Sequence, residues 1–157
     1  ILQITLDDNP PDSFPPIQGK IMTDPAEGLK KLNVLLVDDE RSICISMAMM
    51  LKGKTRMFKS AGTAEDAMEL LENNTWHIII CDYILPKMNG LEFFKIVEQS
   101  HPQAIKILIT GFVDDGTQEK ALQAGVNQIL IKPLTTEAVM KTLGKAILQY
   151  QNGHGTA

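Results

Sequence analysis

Cysteine, aromatic residues, net positive charge and long apolar runs are all scarce in this sequence, and each shortage excludes something. Cys44 and Cys81 are the only two cysteines, and they stand far apart inside apolar runs. They are read as two buried thiols and not as a disulfide or a metal clip. Aromatic residues make up 5% of the chain, and Trp76 and Tyr83 lack the basic neighbours of a nucleic-acid stacking platform. Acidic residues outnumber basic ones, 19 to 15, for a formal net charge of -4. No basic field is present to hold a phosphate backbone, so direct nucleic-acid binding is not expected. Apolar runs stop at a handful of residues, far short of the roughly 20 that cross a bilayer. No basic region leads into a long apolar segment at the start. No membrane association is expected, and the chain reads as cytoplasmic.

What is present suffices for one core: 157 residues, 44% hydrophobic and 22% charged. Residues 1–31 hold five of the eight prolines and read as a Pro-rich linker or N-terminal tail. The first residue is Ile1 and not Met, which points to a piece of something longer. Ile1–Leu6 alternates like the last strand of an upstream unit, or like an arm that lies on its own domain or pairs with a second copy. Residues 32–150 read as one domain, and 151–157 as a C-terminal tail too short for an output domain.

From Leu32 onward, short apolar runs alternate with helix-period segments. Strands are expected at Leu32–Val37, Arg56–Ser60, His77–Cys81, Ile105–Ile109 and Gln128–Ile131. Helices are expected at Ser42–Leu51, Ala64–Asn73, Leu91–Gln99, Gly116–Ala124 and Thr136–Tyr150. The strand runs are mostly continuous in apolar residues, as in a parallel sheet covered on both faces, and Arg56–Ser60 is polar enough for an edge. The fold class is therefore α/β, a doubly wound parallel sheet of five strands. Thr63 with Asp66 looks like an N-cap pair, Thr135 or Thr136 can cap the last helix, and Gly125 stops the fourth. Met47, Met49, Met50 and Met57 read as flexible core filling, and His77 as structural.

Ligands of such sheets bind beyond the carboxyl ends of the strands. There the sequence places Asp38-Asp39-Glu40, Asp82, Thr110-Gly111 and Lys132-Pro133. Converging carboxylates repel each other unless a cation intervenes, and a hard, oxygen-liganded divalent ion such as Mg²⁺ suits them. Capping of the first helix by Asp38 and Asp39 is the simpler alternative for those two taken alone. Asp82, at the mouth of the central strand, can attack phosphorus to form an acyl phosphate. Lys132 would act as a point charge on the phosphoryl oxygens, and Thr110 as a hydroxyl donor.

Val37-Asp38-Asp39-Glu40, Asp82-Tyr83-Ile84-Leu85-Pro86-Lys87-Met88-Asn89-Gly90, Ile109-Thr110-Gly111 and Lys132-Pro133-Leu134 together resemble the receiver domain of bacterial two-component response regulators. The resemblance covers about Leu32 to Gln149. It implies a flavodoxin-like (βα)5 fold with strand order 2-1-3-4-5. It implies that Asp82 accepts a phosphoryl group from a phosphohistidine, slowly from a small phosphodonor, with self-catalysed chemistry. Mg²⁺ would be bound by Asp39, Asp82 and the Ile84 backbone carbonyl, with Asp38 acting through water. Lys132 would pair with the phosphoryl oxygens, and Thr110 would swing toward them. The implied partners are a sensor histidine kinase or phosphotransfer protein and a downstream output domain or protein. A homodimer through the fourth helix, fifth strand and fifth helix is a further possibility that the resemblance brings.

One position departs from the family pattern: Ile129 stands where Tyr or Phe is usual, so a signal carried by a rotating aromatic ring is not expected. Ile84 and Phe112 place apolar side chains where hydrolytic water must approach, which points to a long-lived phosphoryl state. Competing readings are a phosphorylation-independent interaction module, which Ile129 keeps open, a phosphohydrolase and a flavin or nucleotide binder. The hydrolase lacks a second Asp two residues after its nucleophile, where Ile84 stands. The nucleotide binder lacks a phosphate cradle after the first strand, where Asp38-Asp39-Glu40 would repel phosphate.

Overall fold

The computed structural model describes residues 2–5 and 24–154. In chain order the elements are β1 (Gln3–Thr5), α1 (Pro25–Leu29), β2 (Asn33–Val37), α2 (Arg41–Leu51), β3 (Met57–Ala61) and α3 (Ala64–Asn73). Then follow β4 (Ile78–Asp82), α4 (Gly90–Ser100), β5 (Ile105–Thr110), α5 (Asp115–Gln123), β6 (Gln128–Ile131) and α6 (Thr136–His154). The strands form one sheet in the order β1-β6-β5-β4-β2-β3, with every pairing parallel. Counted from β2, the five expected strands stand in the order 2-1-3-4-5, and β3 is the polar edge that its composition suggested.

Continuous apolar strands are explained by two cores, because successive strand residues point to opposite faces. Leu35, Val37, Ile79, Cys81, Leu108 and Ile129 face the layer of α3, α4 and α5. Val34, Leu36, Ile78, Ile80, Ile107 and Leu130 face α1, α2 and α6. Helix ends carry the expected punctuation: the Thr63 hydroxyl accepts from the Asp66 amide at 3.1 Å, and the Thr135 hydroxyl from the Ala138 amide at 3.1 Å. Gly125, at φ +82°, closes α5. His77 is structural, its Nδ1 accepting from the Asn33 amide at 2.8 Å.

Several expectations change. The stretch 1–31, read as a linker, contributes β1 as a sixth strand beside β6 and α1 against α6. Leu29 of α1 is 1% exposed, an apolar anchor that turns this turn of helix into part of the core. Most of the prolines of that stretch lie outside the described residues. The last helix continues past Tyr150 to His154 and takes in the start of the expected C-terminal tail. Cys81 is buried, but Cys44 is only half-buried. Met47 fills the core as expected, whereas Met49 is 74% exposed.

Lys106 is a charged side chain inside the fold, 1% exposed, on β5. Its Nζ meets Glu98 Oε2 of α4 at 2.5 Å and the Ala104 carbonyl at 3.0 Å. A Cβ at Gly125 would collide with this Glu98 carboxylate, so glycine there serves packing as well as the turn. Glu98→Ala strands a buried ammonium and is expected to cost about 3 kcal/mol. Lys106→Met keeps the stem and removes the charge, and should cost less than half as much. Urea unfolding of the two variants checks the difference.

Candidate functional site

β4, at the middle of the sheet, ends in Asp82, which is 4% exposed. Beside it β2 gives way to Asp38, 0% exposed, whose amide makes the last rung to the Ala61 carbonyl at 3.0 Å. Asp38 Oδ1 accepts from the Glu40 amide at 2.8 Å, a side-chain turn that starts α2. One carboxylate oxygen is thus spent on local structure, but not on capping: Glu40 is the N-cap of α2 and no side chain caps that end, so the capping reading of Asp38 and Asp39 is not met. The other oxygen, Oδ2, is buried and has no hydrogen-bond partner. An orphaned anionic oxygen of this kind is costly unless a cation meets it.

Ligand oxygens of Asp38, Glu40 and Asp82 lie within 4.8 Å of one another. Lys132, immediately after β6, reaches into this group: its Nζ is 3.2 Å from Glu40 Oε1 and 3.4 Å from Asp82 Oδ2. The Lys132 amide bonds the Thr110 carbonyl at 2.9 Å, which ties the lysine's backbone to the end of β5, and Lys132–Pro133 is cis. Asp39 is exposed and outside the close group, although near enough for its charge to raise the Asp82 pKa. Ile84 lies two residues beyond Asp82 with its side chain 74% exposed. The Thr110 hydroxyl donates to the Phe112 carbonyl at 3.0 Å and accepts from the Phe112 amide at 3.4 Å, so it is engaged in its own loop.

The loop after Asp82 has a built shape. Lys87 adopts φ 70°, and the Gly90 amide returns to the Tyr83 carbonyl at 2.8 Å. A Cβ on Gly90 would run into the Asp82 backbone carbonyl, so only glycine lets α4 start this close to the strand end. Asn89 and Glu92 form a reciprocal capping box that fixes the first turn of α4.

Burial dominates the electrostatics. It pushes Asp38 up to about 6, helped by Asp82 and Glu40 and opposed by the Glu40 amide and Lys132. Burial also raises Asp82, against the pull of Lys132 and the Ile84 amide. For Lys132, burial alone would lower the pKa, but Asp82, Glu40 and Asp38 outweigh it and the net direction is up. With all groups ionised, three carboxylates face one ammonium. The donors are hard oxygens with no His or Cys among the close group, and Asp38 keeps an oxygen free. This set fits a hard divalent cation such as Mg²⁺ and does not fit zinc.

A test follows from Asp38. Its folded pKa, about 6, lies above the ordinary 3.8. A raised acid stabilises the fold fully below its unfolded pKa, and that contribution is lost as pH rises through the folded value. Metal-free protein should therefore lose stability between pH 3.8 and about 6 on account of this group. A divalent cation held by Asp38 would compete with the same proton, so the Tm gain from Mg²⁺ should be small at about pH 5 and several degrees at about pH 8. Thermal melts with Mg²⁺ and with EDTA read the difference, and an equal gain at both pH values would contradict it.

Among the described residues, no helix is long and apolar enough to cross a membrane. The response regulator receiver domain family model matches residues 34–144. The probable chemotaxis protein CheY of Rhizobium etli is 33% identical over 69% of this chain and 86% of its own length. The transcriptional regulatory protein ZraR of Salmonella typhimurium is 29% identical over 74% of this chain, which spans only 26% of that regulator. Among solved structures, the beryllofluoride-activated NtrC4 receiver domain dimer has TM-score 0.70 and 29% identity, over 75% of this chain and 98% of its own. The signal receiver domain of an HD domain-containing protein from Pseudomonas fluorescens has TM-score 0.74 over 90% of this chain and all of its own, at 22% identity, a likeness of fold. Sheet order, acidic strand ends and sequence agree: the chain belongs to the response regulator receiver domain family.

Proposed function

We propose that Asp82 is the phosphoacceptor of this receiver domain and takes its phosphoryl group from the phosphohistidine of a sensor histidine kinase or phosphotransfer protein. The observation that carries this reading is a buried carboxylate at the mouth of the central strand, with the Lys132 ammonium 3.4 Å from its Oδ2. An Asp82 oxygen attacks phosphorus, the P–N bond to the donor imidazole breaks, and an aspartyl phosphate forms. Lys132 holds its proton throughout and meets the oxygens of the transferred group. Asp38, Asp82 and the Asp39-Glu40 turn, with the Ile84 carbonyl, would hold Mg²⁺, which when bound neutralises charge on the phosphoryl oxygens. The Thr110 hydroxyl exchanges its Phe112 partner for a phosphoryl oxygen and carries its loop with it.

A protein donor is supported by the surface next to the site. Ile45 and Met49 of α2 are 51% and 74% exposed, and a shallow cavity of about 260 Å³ opens between Ile43, Met50, Pro133 and Leu134 beside Lys132. Such an apolar surface suits a partner helix and does nothing for a small phosphodonor. The reading takes residues 32–150 as the phosphoaccepting unit, in the cytoplasm, with its output carried by a further domain or protein. Ile129 is fully buried, so the output switch runs without a turning aromatic ring.

Incubation with Mg²⁺ and acetyl phosphate, followed by intact-mass measurement, tests the reading. One added phosphoryl group, absent with EDTA, is expected; no adduct under conditions that label another receiver domain would overturn it. The adduct should also be long-lived. Ile84 and Phe112, two residues beyond Asp82 and Thr110, are 74% and 72% exposed, and their apolar side chains offer no polar group to orient a hydrolytic water. Ile84→Asn supplies a polar group to orient that water and should shorten the half-life several-fold, up to about tenfold. An unchanged half-life would mean that these side chains do not limit hydrolysis.

A further inference from the structure

The two edges of this sheet are protected differently. β3 presents exposed Lys59 and Ser60 on a polar strand, a charged edge that discourages pairing with another chain. β6, on the opposite side, reads Gln128-Ile129-Leu130-Ile131 and carries no charge. Its outer backbone amides and carbonyls would form an open, apolar template, the arrangement that invites strand addition. Instead β1 lies on it, in parallel register, with Gln3 opposite Gln128, Ile4 opposite Ile129 and Thr5 opposite Leu130. Leu2 packs on the core cluster that includes Ala121, Ala124, Val126 and Ile129, and β1 also meets α6. The new edge is three residues long, too short to template much itself.

We infer that Gln3–Thr5 is a guard strand that closes the β6 edge against strand addition by a second copy of this chain. The inference stands on the sheet and not on the chemistry at Asp82. Tethering makes so short a strand effective: joined to the domain through residue 24, it faces β6 at an effective concentration of the order of mM, which a second copy in dilute solution does not match. The occupant it excludes is a second copy, because the edge has the strand chemistry to accept one and the same β6 is present in every copy.

Sedimentation velocity and hydrogen exchange test this with the full chain, a variant lacking residues 1–6, and the double variant Gln3→Pro/Ile4→Pro. Successive strand amides point to opposite edges, so the double proline removes a donor facing β6 whichever of the two residues supplies it. The full chain should sediment as a monomer with the amides of residues 128–131 protected. Both altered forms should lose that protection by about tenfold or more at the alternate amides of this run that face β1, while those facing β5 keep it, at low concentration, and then shift to twice the mass as concentration rises. The proline variant keeps the full length of the chain and changes nothing outside β1, so a failure to fold after truncation does not decide the outcome. Altered forms that stay monomeric at the same concentrations would overturn the inference. So would a full chain that is already dimeric and becomes monomeric on truncation, because β1 would then bridge copies.

Discussion

Asp82→Asn is expected to abolish the Mg²⁺-dependent adduct while leaving the fold more stable without metal. The amide has the shape of the carboxylate but no anionic oxygen to attack phosphorus, so incorporation should fall by at least about 10³. Stability moves the other way for an electrostatic reason. Burial already raises the Asp82 pKa, and its charge helps to push Asp38 up to about 6. A neutral isostere removes both costs, so the metal-free Tm should rise by a few degrees and the Mg²⁺-dependent gain should shrink. Intact-mass time courses and paired melts measure the two effects. An adduct that persists at a comparable rate in this variant would move the acceptor elsewhere, and a lower metal-free Tm would show that the Lys132 contact outweighs the repulsion.

Lys132→Ala carries the second large effect. Lys132 supplies the positive charge within reach of both Glu40 and Asp82, at 3.2 and 3.4 Å. Removing one fixed charge aimed at developing phosphoryl oxygens costs about 10²–10³ in rate by comparison with other preorganised donors. The same change leaves the acidic group unopposed, so the metal-free protein should be destabilised more at about pH 8 than at about pH 5, where Asp38 is protonated. Lys132→Arg keeps the charge but replaces a compact ammonium by a planar fork on a different reach, and should recover only part of the rate. A rate within a few-fold of the unmodified chain for Lys132→Ala would remove the lysine from the chemistry.

The strand runs were legible because burial on two faces suppresses the polar half of the alternation, and Val34-Leu35-Leu36-Val37 divides between the two cores residue by residue. The convergence of Asp38, Asp82, Thr110 and Lys132 was legible for the same reason, since parallel strands deliver their last residues to one side. Which member of Asp38-Asp39-Glu40 turns inward was not. The direction is set by the turn in which Asp38 Oδ1 takes the Glu40 amide, and that brings Glu40, itself exposed, beside Asp38 and Asp82 while Asp39 stays outside the close group. Strand β1 was equally opaque, because an alternating hexapeptide looks the same whether it pairs with its own sheet or another. The capping box of Asn89 and Glu92 is a plain spacing in the sequence, overshadowed by the more conspicuous Pro86 and Gly90 around it.

The mouth of the site has two walls of unequal compliance. On one side α4 is pinned by a reciprocal cap and by the absence of a Cβ at Gly90, which seats it against the Asp82 backbone. On the other, the segment from Thr110 to Asp114 is anchored by Val113 on the core and by the Asp114 cap of α5, but its start is held by the Thr110 hydroxyl's bonds to Phe112, and that hydroxyl can give up one oxygen acceptor for another with little net change in hydrogen bonding. Two springs loaded by one force share it, but the softer one takes the displacement. On the proposed function, a charge added at Asp82 would therefore be transmitted toward α5, with α4 as the anvil against which that movement is made.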